Sequence, residues 1–361
     1  MSIFPEKRYA GRLFFVNLQA MKRATFIVNP ISGTQRKEKF PEFVEATLDK
    51  GQFASEVVFT ERAGHATEIA RKCVEQGVDV VAAVGGDGTI NEVARALVHT
   101  DTALALVPCG SGNGLARHLG IPLDARRDIE IINHCQIESL DYGVINDIPF
   151  FCTCGMGFDA FISLKFAEAG KRGALTYVEN VLKEGLKYKP QTYLVEDETG
   201  KRRYKAFLIA CANASQYGNN AYIAPKASMS DGLMDVTILE PFDVLDAPAI
   251  GLDLMNKALD KNSKIKTFRC QRLHVTRQEP GAIHFDGDPV MTGTEIDVHM
   301  ESRGIRMVVN PSEVEPQHEP NIVIDAFSEV FEGINSVRRD LEKSRRRLTA
   351  LNRVLLRKLN R

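Results

Sequence analysis

Two hydrophobic periods alternate along the first third of the chain. Short runs of apolar, often β-branched residues read as buried strands: Ala24-Thr25-Phe26-Ile27-Val28, Val57-Val58-Phe59-Thr60, Val80-Val81-Ala82-Ala83-Val84 and Ala103-Leu104-Ala105-Leu106-Val107. Between them apolar positions recur at helical spacing. Phe40, Phe43, Val44 and Leu48 share one side of a helix over about 36–50, a second helix runs from about Ala66 to Glu75 and stops at Gly77, and Ile90, Val93, Ala94 and Leu97 line a third. Strands alternating with helices predict an α/β fold with a parallel sheet and right-handed crossovers. In such a sheet ligands bind beyond the carboxyl ends of the strands.

The period changes after about residue 137. From Ile148 to Val309 short strand-like runs follow one another, among them Thr192–Val195, Phe207–Ala210, Met234–Leu239, Leu273–Thr276, Glu295–His299 and Ile305–Val309. Turn signals separate them, including Glu198-Thr199-Gly200 and Asp286-Gly287-Asp288-Pro289. A mainly antiparallel, β-rich second domain over 138–312 follows, interrupted by helices near 160–187 and 243–259, with the α/β domain over 21–137 and a leader over 1–20. The remainder, 313–361, repeats apolar residues in heptads: Phe327, Ile334, Leu341, Leu348 and Leu355 at one core position, and Val330, Val337 and Leu351 at three of five places on the other. A C-terminal amphipathic helix is predicted there.

Charge changes this picture only at that end. Residues 336–361 hold ten Lys or Arg and two Asp or Glu, a local +8 on a chain whose net charge is −1. Three uses of the helix stay open: a homodimeric coil, packing against its own body, or lying on an anionic membrane. The aromatic interleaving of nucleic-acid surfaces is missing. Seven cysteines, with only Cys152 and Cys154 close together, fit neither a zinc site nor a disulfide framework and read as buried thiols. No apolar run approaches the roughly 20 residues of a membrane span.

Candidate chemistry gathers where strands end. The first strand runs into Asn29-Pro30-Ile31-Ser32-Gly33-Thr34, which offers polar side chains and amides to phosphate oxygens or makes a simple turn. The third runs into Gly85-Gly86-Asp87-Gly88-Thr89 and straight into a helix, whose free N–H groups and dipole suit an anion. After the fourth comes Gly110-Ser111-Gly112-Asn113-Gly114. Asp87 is out of place in a pure phosphate cradle, since a carboxylate there is repelled unless it holds a metal or meets a hydroxyl.

Taken together with Asn91-Glu92, Gly157-Phe158-Asp159-Ala160, Ser230-Asp231-Gly232-Leu233 and Asp286-Gly287-Asp288, these strings resemble the diacylglycerol kinase and sphingosine kinase superfamily of lipid kinases over about residues 23–310. The resemblance implies a nucleotide-binding α/β domain and a β-rich domain with the active site between them, and ATP and Mg2+ as cofactors. It implies ATP contacts from Asn29, Ser32, Gly33, Thr34, Thr60, Gly85, Gly86, Gly88, Thr89, Asn91, Gly110, Ser111 and Gly112. Asp87 matches the carboxylate that activates the acceptor hydroxyl, and Asp288 a second catalytic acid. Asp231, with backbone oxygens near Ser228 and Leu233, matches a structural metal site. The family's late motif is usually Asp-Gly-Glu, so the shorter Asp288 puts Asp87 first as base.

Asp159 matches an acid able to pair with an amino-alcohol headgroup, which favours a sphingoid long-chain base as the lipid acceptor. The alternatives are diacylglycerol, giving phosphatidic acid, and, more remotely, a soluble acceptor or a nucleotide-binding regulatory protein without turnover. A kinase of this kind is expected in the cytoplasm, peripherally attached to the inner membrane face.

Overall fold

A computed structural model describes residues 21–33, 37–169, 185, 188–243 and 246–311. The leader expected at 1–20, Thr34, most of 170–187 and the helix expected at 313–361 lie outside the described residues.

The first half is built as its periodicity requires. Strand β1 (Lys22–Val28), helix α1 (Phe40–Thr47), β2 (Phe53–Phe59), α2 (His65–Glu75), β3 (Val80–Gly85), α3 (Asp87–Leu97) and β4 (Ala103–Pro108) alternate, followed by α4 (Gly114–His118) and α5 (Ala125–His134). The four strands lie parallel in the order β2-β1-β3-β4. All six residues of β3 and of β4 are buried, as expected for strands covered on both faces.

In the second half come β5 (Ile137–Ile145), β6 (Ile148–Phe150), β7 (Thr153–Gly157), α6 (Phe158–Ala169), β8 (Gln191–Asp197), β9 (Gly200–Ala206), β10 (Leu208–Ala212) and β11 (Met234–Leu239). Helix α7 (Ala247–Met255) then precedes β12 (Ile265–Cys270), β13 (Arg272–Arg277), β14 (Gly281–Phe285), β15 (Asp288–Thr292) and β16 (Glu295–Val308). Six of these strands form an antiparallel sheet in the order β12-β11-β10-β7-β14-β15.

The boundary expected at 137/138 is not a gap between sheets. The runs Glu295–His299 and Ile305–Val309, read above as two strands, belong to the single strand β16. Glu295–His299 pair with β13, Val298–Glu301 and Ile305–Val308 with β5, and Met307 pairs in parallel with Leu104 of β4, so the first sheet continues through β16 into β13, β8 and β9. The strand tolerates this double duty through a register shift between Glu301 and Ile305, where Arg303 takes a positive φ of 52°. Apolar clusters fill the space around both sheets: Phe26, Ile27, Leu97 and Leu104 in the α/β part, Met156, Tyr193, Val236 and Ile283 between the sheets of the second.

Candidate active site

Three loops meet beyond the carboxyl ends of β1, β3 and β4. Asn29 Nδ2 donates to Thr89 Oγ1 at 3.0 Å, tying the first loop to the second. A Cβ built on Gly110 would lie 2.7 Å from Gly86 Cα, so the second and third loops touch backbone to backbone and only glycine fits. Gly33, at φ +68°, presses on the Cys109 carbonyl and closes the ring between the first and third. Around Gly88 a new Cβ would meet nothing within 4 Å. The loops therefore enclose a cradle lined by backbone, with free volume at the start of α3, and this is the arrangement a nucleotide phosphate fits.

Asp87 locks the cradle. Its Oδ2 accepts from Asn113 N and its Oδ1 from Gly114 N, both at 2.9 Å. Burial pushes its carboxyl above the ordinary range, against the pull of those two amides. Each of its oxygens accepts one amide of the third loop, so Asp87 has a structural task whether or not a lone pair on either oxygen also meets the acceptor hydroxyl.

The opposite wall is the β14–β15 hairpin. Asp286 and Gly287, at φ 47° and 90°, form its two-residue turn, as Asp-Gly favours in type I′ geometry. Asp286 turns its carboxylate inward and accepts from Phe151 N at 2.9 Å, Cys152 N at 2.8 Å, Thr153 N at 3.0 Å and Asn91 Nδ2 at 2.8 Å. Asp288 opens β15 opposite Phe285 and is exposed, and its carboxylate has no hydrogen bond or ion pair among the described residues. Desolvation and then the charge of Asp286 hold its carboxyl above the usual range, while Arg95 pulls it down. Of the three acids, Asp288 alone is uncommitted.

Other expected ligands are placed differently. Asn91 is 2% exposed and its Nδ2 donates to Asp286, so it braces α3 against the hairpin. Ser32 is buried, its hydroxyl donating to Asn29 O and accepting from Lys37 Nζ, so it shapes the first loop from inside. Thr60 is buried at the end of β2, its N–H on Val28 O. Ser111 is exposed on the third loop.

Two further expectations change. Asp159 does not offer a carboxylate to an ammonium group: its side chain is 10% exposed, Oδ2 meets His284 Nε2 at 3.1 Å and accepts from Tyr217 OH at 3.2 Å, and Oδ1 accepts from Ala160 N. At the expected metal site, Asp231 Oδ2 carries the Arg269 guanidinium and Oδ1 accepts from Leu233 N at 3.1 Å, while Ser228 Oγ lies 3.2 Å from Ser230 Oγ. Among the described residues the Arg269 guanidinium is the cation that Asp231 holds. Among the described residues no three His, Cys, Asp or Glu side chains cluster as metal ligands.

Lys37 escapes sequence reading altogether. Its ammonium is buried, donates to Asn29 O at 3.0 Å, to Ser32 O and to Ser32 Oγ at 2.6 Å, and burial lowers its pKa. The run Arg36-Lys37-Glu38-Lys39 holds no signal to single it out. Arg95 was open to discovery, lying one turn after Asn91 on α3, but only the hairpin gives that spacing a meaning.

A family model described as diacylglycerol kinase catalytic domain matches residues 23–145, and one described as YegS C-terminal NAD kinase beta sandwich-like domain matches 153–308. A diacylglycerol kinase of Mycobacterium tuberculosis is 27% identical over 276 residues, 74% of this chain and 88% of its own length. A probable YegS-like lipid kinase of Chromohalobacter salexigens is 26% identical over 232 residues, 63% of this chain and 75% of its own. The crystal structure of a diacylglycerol kinase from Bacillus anthracis shares the fold, with a TM-score of 0.64 at 18% identity over 81% of this chain and 98% of that one.

Proposed function

The chain belongs to the lipid kinases that join a diacylglycerol kinase catalytic domain to a YegS-type β domain, and from that premise we propose that it transfers the γ-phosphate of ATP to the hydroxyl of diacylglycerol. One observation carries the reading: a backbone cradle closed by glycine contacts faces a hairpin whose Asp288 carboxylate has no partner among the described residues. The loops after β1, β3 and β4 hold the phosphates, and Lys37 places a buried positive charge behind them. Asp288 takes the proton of the acceptor hydroxyl as that oxygen bonds to the γ-phosphorus and the bond to the bridging oxygen of the departing ADP breaks. Asp87 keeps the third loop in register for this in-line geometry.

Magnesium fits as the counter-ion that a triphosphate brings, since this ion is commonly bound through one or two carboxylates plus substrate phosphates. When bound it neutralises charge on the transferring group.

Diacylglycerol is preferred over a sphingoid base because the ammonium partner assigned to Asp159 is already taken by His284 and Tyr217, whereas a neutral headgroup requires no counter-charge. Relatives whose names specify diacylglycerol kinase support the same choice. The acceptor being a bilayer lipid, the enzyme works at a membrane surface; among the described residues no helix is long and apolar enough to cross one. Labelled ATP offered with separate vesicles of diacylglycerol, sphinganine and ceramide tests the assignment. Label is expected in phosphatidic acid. Label in phosphorylated sphinganine overturns the acceptor, and label in no lipid overturns the reaction.

A further inference from the structure

Helix α3 begins in the glycine cradle and passes along the hairpin, so it touches both walls of the cleft. One turn after Asn91, which holds Asp286, the same face presents Arg95. The Arg95 guanidinium lies over the Phe285 ring, with Cζ 5.7 Å from its centroid. Phe285 is the cross-strand partner of Asp288, directly opposite it at the mouth of the turn. Arg95 Nε is buried and has no acceptor, and neither Arg95 nor Asp288 has an ion pair among the described residues. An unpaired cation and an unpaired acid thus flank one aromatic ring.

The charges around Asp288 give this arrangement a use. Asp286 and Glu92 repel it and Arg95 attracts it, while His284, 2% exposed, has its Nε2 on Asp159. Arg95 is therefore the cation not already spent on another carboxylate, and a triphosphate entering the cleft adds further repulsion on the cradle side. We propose that Arg95 is a positioning residue: seated on Phe285, it draws the Asp288 carboxylate toward α3 and holds it in place to receive the acceptor proton. The inference rests on the reading of Asp288 as the base of a lipid kinase.

A double-mutant cycle on the full chain tests it, with kcat, KM for ATP and thermal midpoint measured for wild type, Arg95→Gln, Asp288→Asn and the pair. Arg95→Gln lowers kcat about tenfold and leaves KM for ATP within about twofold, whereas in the Asp288→Asn background the same change costs less than about twofold. Arg95→Lys, which keeps a charge over the ring, recovers kcat to within about threefold of wild type. Should glutamine prevent folding, Arg95→Leu, which keeps packing on Phe285 and drops the charge, runs the same cycle. Equal losses in both backgrounds, with wild type active, overturn this inference alone. A higher KM for ATP at unchanged kcat also overturns it, since Arg95 then touches the nucleotide itself. A wild type that phosphorylates no lipid overturns the underlying reading, and this inference with it.

Discussion

The two walls of the cleft are made of different materials. On the α/β side the cradle is main chain: Gly86 against Gly110, amides at the start of α3, and carboxylate oxygens of Asp87 fixing Asn113 and Gly114. On the β side the working surface is side chain, a hairpin whose Asp286 anchors it and whose Asp288 is left over. Backbone is the better cradle for a bulky anion, because N–H dipoles approach closely and carry no net charge to titrate. Proton transfer needs the opposite, a titratable group with a free lone pair. The difference teaches that acids in one cleft divide by how many hydrogen bonds they already accept.

The strongest way to break the contrast is to remove the anchor of the second wall. Asp286→Ala leaves three backbone N–H groups and the Asn91 amide without their acceptor, and a loss of about 3–5 kcal/mol is expected by chemical denaturation. A hairpin that stood by itself would lose far less. On the first wall Gly110→Ala drives a methyl to 2.7 Å from Gly86 Cα and 2.9 Å from Asn113 Oδ1, with backbone on one side that has no room to yield. A fall of about 100-fold in kcat/KM for ATP is expected, worth about 2.7 kcal/mol.

Lys37→Met asks whether the cradle needs charge as well as dipoles. The buried ammonium costs desolvation and has no carboxylate partner among the described residues, so a methionine there is expected to raise KM for ATP about tenfold while moving the thermal midpoint little. An unchanged KM would leave the phosphates to the main chain alone.

The smallest effect concerns the support behind that wall. Asp128 on α5 is 1% exposed, neither oxygen has a hydrogen bond among the described residues, and burial, then the charge of Asp124, pushes its pKa to about 9. The folded state keeps the proton that the unfolded chain releases near the ordinary value of about 3.9. Stability therefore falls as pH rises from about 4 toward 9. Asp128→Asn is expected to add about 1–2 kcal/mol of unfolding free energy at pH 8, measured by chemical denaturation, and the gain should vanish below about pH 4. A gain that persists in acid would mean the charge is not its cause.

Much of this molecule was legible in the chain itself. The alternation of β-branched runs with helical spacing fixed four parallel strands and the edge where their loops meet, because both periods follow from local backbone geometry. Asp286-Gly287 announced a tight hairpin turn for the same reason, since positive φ at two successive residues is a local demand. What the chain did not disclose were the partners of its acids. Asn91 lies 195 residues from the Asp286 it braces, and Asp159 lies 125 residues from the His284 that occupies it. Nor did it disclose that β16 would carry one sheet across both halves. A carboxylate's role depends on which donors surround it in space, and periodicity holds no record of neighbours so distant along the chain. Tertiary structure alone decided that Asp87 is bound and Asp288 free.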